Sequence, residues 1–256
     1  MKNTRTPRTL RTLTIAAALA VTMAACGSND TTEEAGSDTT AAASETTAAA
    51  SDTTAAAGET PTVDALTVES GFASGVSSLG TRFTSAGAVV TNTSAQLACR
   101  VKVEFALLDA AGTVLDTKSE TVPFVAAGAA VSVAPSGLGG NRPEEPASVE
   151  VTVVEAEAFT TAATCEGGIV QGLALETADV TVDALTYIRG TVTNGTDTAA
   201  ETTLVDCVLR DAAGVIVGGD KTVVRDAIDA GASAEFKVRM LWAPDTAATA
   251  ECTAIA

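Results

Sequence analysis

The chain has 256 residues with 15 Lys+Arg against 32 Asp+Glu, a net charge of −17, and four of those basic residues lie at its very start. Such acidity excludes a nucleic-acid binder, whose phosphate ligand demands a basic footprint, and flat docking on anionic headgroups. Histidine is absent, which removes Ser-His-Asp and Cys-His catalysis and the usual zinc ligand sets.

Lys2, Arg5, Arg8 and Arg11 precede an apolar stretch from Leu13 to Ala25. A helix crossing a bilayer of roughly 30 Å needs about 20 apolar residues, so this stretch is too short to span. It fits the h-region of a secretory signal peptide over residues 1–25. Met23-Ala24-Ala25-Cys26 followed by Gly27-Ser28 resembles the lipobox of bacterial lipoproteins, although leucine is usual where Met23 stands. The resemblance implies that Cys26 is acylated and becomes the first mature residue, anchoring the chain in the cell membrane on its extracytoplasmic side. An ordinary signal peptide with a chance cysteine and an uncleaved anchor are the competing readings.

Residues 26–61 carry almost no large apolar side chain, and the heptad Ser-Asp/Glu-Thr-Thr-Ala-Ala-Ala starts at Ser37, Ser44 and Ser51. A coiled coil needs Leu, Ile or Val along its seam, and the repeat has none. With nothing to bury against its conformational entropy, the segment is expected to be a disordered tether. Its end-to-end distance as a flexible chain is roughly 30–35 Å, enough to lift a folded part off the bilayer. Its threonine density suits O-glycosylation.

The rest reads as one unit written twice. Ala88-Val-Val-Thr-Asn92 answers to Gly190-Thr-Val-Thr-Asn194, and Leu107-Leu-Asp-Ala-Ala-Gly112 to Leu209-Arg-Asp-Ala-Ala-Gly214. Upstream, Val68–Phe72 is aligned with Ile169–Leu173; downstream, Ala127-Gly-Ala129 matches Ala230-Gly-Ala232. The repeats are placed at residues 62–166 and 167–256, a size that suits two tandem immunoglobulin-like β-sandwich domains. Val101, Val103, Phe105 and Leu107 alternate with Lys102, Glu104 and Ala106, the period of a strand with one wet face. Asp109–Gly112 and Asp211–Gly214 read as hairpin turns closed by a left-handed glycine, and Asn92 and Asn194 open two further turns. Pro135–Pro146 is a Gly/Pro loop before a strand at Val149–Val153. The fold class is all-β.

At these residues the chain resembles FxLYD-type domains, immunoglobulin-like sandwiches of bacterial and archaeal envelope proteins. Phe105, Leu107 and Asp109 match that motif in the first repeat, with Leu108 at the tyrosine and Ala88 at the glycine. Gly190, Val192, Asn194, Leu209 and Asp211 match in the second, with Cys207 at the phenylalanine and Arg210 at the tyrosine. The resemblance implies a fold and no catalytic residues.

Cys99, Cys165, Cys207 and Cys252 remain after Cys26, an even number that points to disulfides in an exported chain. Cys207 takes the inward position of Phe105, and Cys252 aligns with the inward Val151. A core bridge between sheets, as in antibody domains, is the expectation. Cys99 shares the parity of Val101, and Cys165 follows the last strand of the first repeat. The preferred pairs are Cys99–Cys165 and Cys207–Cys252; two other pairings and reduced thiols stay open. Trp242 continues the alternation of Phe236, Val238 and Met240 and is expected to plug the second core. Aromatics make up 3% of the chain, so the cores are built from small residues and the disulfides matter.

No catalytic, cofactor-binding or metal-ligating set emerges; Glu144-Glu145 reads as solvated charge, and Asp226 and Asp229 fall short of a calcium loop. The chain is expected to be no enzyme but a tethered interaction module holding an envelope protein or glycan, with a structural spacer as the alternative. Specific contacts are expected where the copies differ, at Pro135–Pro146 and Met240–Asp245.

Overall fold

A computed structural model describes residues 61–76, 80–139, 144–162, 165, 173–177 and 187–256, with side chains for all of these except 173–177. The expected signal peptide, Cys26 and the tether up to residue 60 lie outside the described residues.

Among the described residues twelve strands run in chain order, β1 (Leu66–Val76), β2 (Arg82–Asn92), β3 (Leu97–Leu108), β4 (Val114–Val125), β5 (Ala130–Val133), β6 (Ser148–Thr160), β7 (Leu173–Thr177), β8 (Tyr187–Asn194), β9 (Thr203–Asp211), β10 (Ile216–Val224), β11 (Ser233–Arg239) and β12 (Ala247–Ile255). They form four three-stranded antiparallel sheets, β1-β2-β5, β4-β3-β6, β11-β8-β7 and β10-β9-β12. The all-β reading holds. Among the described residues the only helical element is a 3-10 turn at Val63–Ala65, and no helix is long and apolar enough to cross a membrane.

The strand alternation of β3 places Val101, Val103, Phe105 and Leu107 in the first core, against Ala86, Ala88 and Val90 of β2 and Val131 and Val133 of β5. In the second core, Val205, Cys207 and Leu209 of β9 meet Ile188 and Val192 of β8 and Phe236 and Val238 of β11. Burying each such aliphatic side chain contributes about 1.5–3 kcal/mol, and valine and alanine supply most of both cores.

The expected turns are present in both halves. The Asp109 carboxylate accepts from the backbone N–H groups of Ala111 and Thr113, each at 2.8 Å, and Gly112 takes φ +80. Asp211 does the same for Ala213 at 2.8 Å and Val215 at 3.0 Å, with Gly214 at φ +84. Asn92 and Asn194 do more than open a turn. Both are fully buried. Asn194 Nδ2 donates to the carbonyls of Thr198 and Ile228, each at 2.8 Å, while Oδ1 accepts from the N–H and hydroxyl of Thr196 at 3.0 and 2.6 Å. Asn92 repeats the pattern with Gln96, Val125 and Ser94. Each amide thus ties a turn to a distant chain segment, and being enclosed it is no glycan acceptor. Asn194→Ala strands two buried carbonyls and is expected to cost about 2 kcal/mol in urea unfolding.

The register corrects one alignment. Leu66 pairs with Asn92 and Leu173 with Asn194, so Leu173 answers to Leu66 and not to Phe72. The first hairpin of the second half is shorter, and a constant offset carried upstream of the asparagines slips past it.

The described residues belong to one compact unit, because β1-β2-β5 packs its outer face onto the outer face of β10-β9-β12. Strand β2 is therefore buried on both sides. Ala86, Ala88 and Val90 face their own core, while Val89 clusters with Val208 and Ile216 of the second half. Backbones approach closely at this seam. A Cβ at Gly87 would lie 2.7 Å from the Gly218 carbonyl oxygen, one at Gly219 2.9 Å from Ala134 Cβ, and one at Gly71 would fall on the Ile216 carbonyl. Ser85 Oγ accepts from Gly219 N–H at 3.0 Å and lies 3.2 Å from its carbonyl, as donor. Ser132 donates from its N–H to Thr253 Oγ1 at 2.9 Å and from its hydroxyl to the Glu251 carbonyl at 3.1 Å. Arg210 closes the rim with a fork of hydrogen bonds to Glu69 at 2.6 and 3.0 Å and a third to Glu251 at 3.1 Å.

Candidate functional site

The cysteines form the two preferred bridges, Cys99–Cys165 and Cys207–Cys252, each within one half. The route to each pair needs correction. Cys207 and Cys252 are direct cross-strand partners on β9 and β12, with Cα atoms 4.0 Å apart, so the bridge lies within one sheet and does not join two. It occupies the place of the Phe105–Val151 pair in the first half. Cys99 does not share the face of Val101. Arg100 between them has φ +47, and this left-handed residue turns the strand over, so Ala98 and Val101 both face the core. Cys99 instead joins Leu97 and Cys165 in a small cluster outside it. Neither bridge reaches the cavity described next.

At one end of the seam, a half-open groove of about 230 Å³ runs between the two halves. The first half contributes Phe83, Thr84 and Ser85 at the start of β2, and Pro135, Gly137 and Leu138 just after β5. The second half contributes Gly219 and Asp220 of β10 and Met240, Leu241 and Trp242, which follow β11. Both segments singled out as differing between the copies thus meet at one place, although positions 140–143 of the first lie outside the described residues. Trp242 does not plug the second core. Strand β11 ends at Arg239, so its alternation does not carry on, and the indole lies over the seam where a Cβ at Gly75 would be 2.5 Å from Cζ2. Leu241 beside it is 72% exposed, a large apolar side chain left to solvent at the groove's edge.

Few of the groove's lining side chains are polar. Ser85 is taken up by Gly219, and Thr84 Oγ1 lies 3.4 Å from Ser74 Oγ. Among the described residues Asp220 is the single charged group in the lining. Its Oδ1 accepts from Lys221 N–H at 2.8 Å and from Ser136 Oγ at 3.3 Å. Burial pushes its carboxyl above the ordinary range, against the Lys221 and Ser136 hydrogen bonds that lower it. Behind it, Asp206 accepts from Ala134 N–H at 3.1 Å, and Lys221 pairs with Glu120 across the seam. Sequence reasoning missed Phe83 and Asp220, while Leu138 lies in the Pro135–Pro146 segment it singled out. The signal for Asp220 was Gly218-Gly219-Asp220, a pair of glycines inside a strand, which marks a close backbone approach.

The arrangement has the form of a small binding site: several apolar side chains, one oriented carboxylate and a tryptophan in the lining. No family model matches this chain, and no curated protein matches it.

Proposed function

We propose that this chain is an exported lipoprotein, anchored through Cys26 on the extracytoplasmic side of the membrane, whose folded part is a non-catalytic interaction module of the cell envelope with FxLYD-type sandwich repeats. One observation carries the interaction reading. The residues shared by the halves are structural, namely the enclosed asparagines, the turn aspartates and the core leucines, whereas the two segments that differ converge on one groove. The anchoring reading rests on the basic start, the short apolar stretch and the Met-Ala-Ala-Cys26 motif.

Wild type is expected to partition into a detergent phase and Cys26→Ala to stay in the aqueous one. Mass spectrometry of the mature N-terminus gives the direct answer, and an unmodified terminus beginning elsewhere refutes the anchor. For the module, a deletion strain is complemented either with Trp242→Ala or with an unrelated tethered sandwich of equal length. Interaction requires that both fail while wild type succeeds. Full rescue by the unrelated sandwich leaves the spacer, a reading favoured by the stiff packing of the two halves through their backbones.

A further inference from the structure

The geometry points to a single cationic side chain, lysine or arginine, of a partner protein as the occupant of the seam groove, with its aliphatic stem along Phe83, Leu138 and Met240 and its head on the Asp220 carboxylate beneath Trp242. This assignment rests on the groove being the module's working surface.

Four features select that chemistry. At about 230 Å³ the groove is smaller than the roughly 300–1,000 Å³ of sites for drug-sized ligands, so it takes one long side chain and not an extended molecule. Phe83, Leu138 and Met240 give a methylene stem an apolar path along the groove. Among the described residues Asp220 Oδ2 has no hydrogen-bond partner, so one acceptor bearing a formal charge is left for an incoming donor. The chain carries −17 overall, and the groove adds a tryptophan, the aromatic ring that best attracts a cation. A saccharide fits poorly. A pyranose brings several hydroxyls that each need partners, and the lining offers few groups beyond the two hydroxyls already engaged.

Trp242 is the only tryptophan, so the intrinsic fluorescence of the mature chain reports the groove without a label. The probes are the pentapeptides Gly-Gly-Arg-Gly-Gly and Gly-Gly-Lys-Gly-Gly, their norleucine and citrulline counterparts, and N-acetylglucosamine. The basic peptides are expected to give a saturable change, with the neutral peptides at least tenfold weaker and the sugar silent. Asp220→Asn is expected to lower the affinity for arginine at least tenfold with an unchanged circular dichroism spectrum. Arginine binding should weaken as the pH falls towards the range, raised above that of an ordinary carboxylate by burial, where Asp220 takes up a proton. Equal binding of citrulline, or an unaffected Asp220→Asn protein, overturns the charge recognition and leaves the interaction module standing. Saturable sugar binding without arginine binding replaces the ligand class. No response to any probe, in a chain that the unrelated sandwich replaces fully, overturns the cation and the module together.

Discussion

Replacing Gly87 with valine is expected to cost the mature chain about 3 kcal/mol or more, the upper range for overpacking a tight interface. Gly87 lies on β2 opposite Gly71, with Ala86 and Ala88 turned into the first core on either side. Its other face meets backbone, since a Cβ there would be 2.7 Å from the Gly218 carbonyl oxygen and 2.9 Å from Val208 Cγ1. Real Cβ atoms are essentially never found that close, and a carbonyl in a hydrogen-bonded strand cannot rotate aside as a long side chain would. The sheets must separate, and separation breaks the Ser85–Gly219 contacts, the Ser132 bonds and the Ala134–Asp206 bond together. Urea unfolding is expected to shift to lower denaturant and to split into two steps if each half holds without the seam. A midpoint equal to wild type, with a single transition, means that the sheets are not packed backbone to backbone.

Why the seam escaped the sequence follows from how strands announce themselves. Alternation marks a strand with one wet face, and β3 shows it plainly because Lys102, Glu104 and Ala106 stay half exposed between buried neighbours. The turns at Asp109 and Asp211 were equally legible, since only certain residues satisfy a left-handed turn, and so was the pairing of the cysteines. Strand β2 has no wet face over Ser85–Val90, so its polar–apolar period vanishes. Serine, alanine and glycine there say only that something is close, not what. The groove inherits this difficulty, because Asp220 becomes special only when the first half covers it. Parity arguments failed where the backbone departs from extended geometry, at Arg100 with its left-handed φ and past the end of β11 at Trp242. In both places the residue types were read correctly and the face was not.

Asp206→Asn is expected to stabilise the protein by about 4 kcal/mol at pH 8 and by only about 1.5 kcal/mol at pH 5. Asp206 sits on the seam side of β9, nearly enclosed, with Ala134 N–H as its hydrogen-bond donor. Desolvation pushes its carboxyl up to about 7, against the lowering effect of the Ala134 bond and of Lys221, while Glu120 and Asp220 push it further up. In the unfolded chain the group has an ordinary value near 3.9, as an approximate reference. Between those two values the folded state holds a proton that the unfolded state has released, so this site's stabilisation is complete below pH 4, falls as pH rises, and is gone above pH 7 to 8. Asparagine keeps the acceptor for Ala134 and stays neutral, which removes the loss. Carboxyls shifted the other way, Glu69 by its bond to Arg210 and Asp109 by its turn, change stability only as pH falls through and below the ordinary carboxylate range, outside this window. Asp220 titrates in the same direction as Asp206, and because the two carboxylates repel each other the gap between the two proteins includes their coupling. The measurement is urea unfolding of wild type and Asp206→Asn at half-unit steps from pH 5 to pH 8, read as the gap between the two curves. A gap that widens with pH establishes Asp206 as a buried carboxyl held across the seam. A gap that stays constant, or a variant weaker than wild type at pH 8, means that Lys221 compensates the ionised carboxylate and that the seam tolerates the charge.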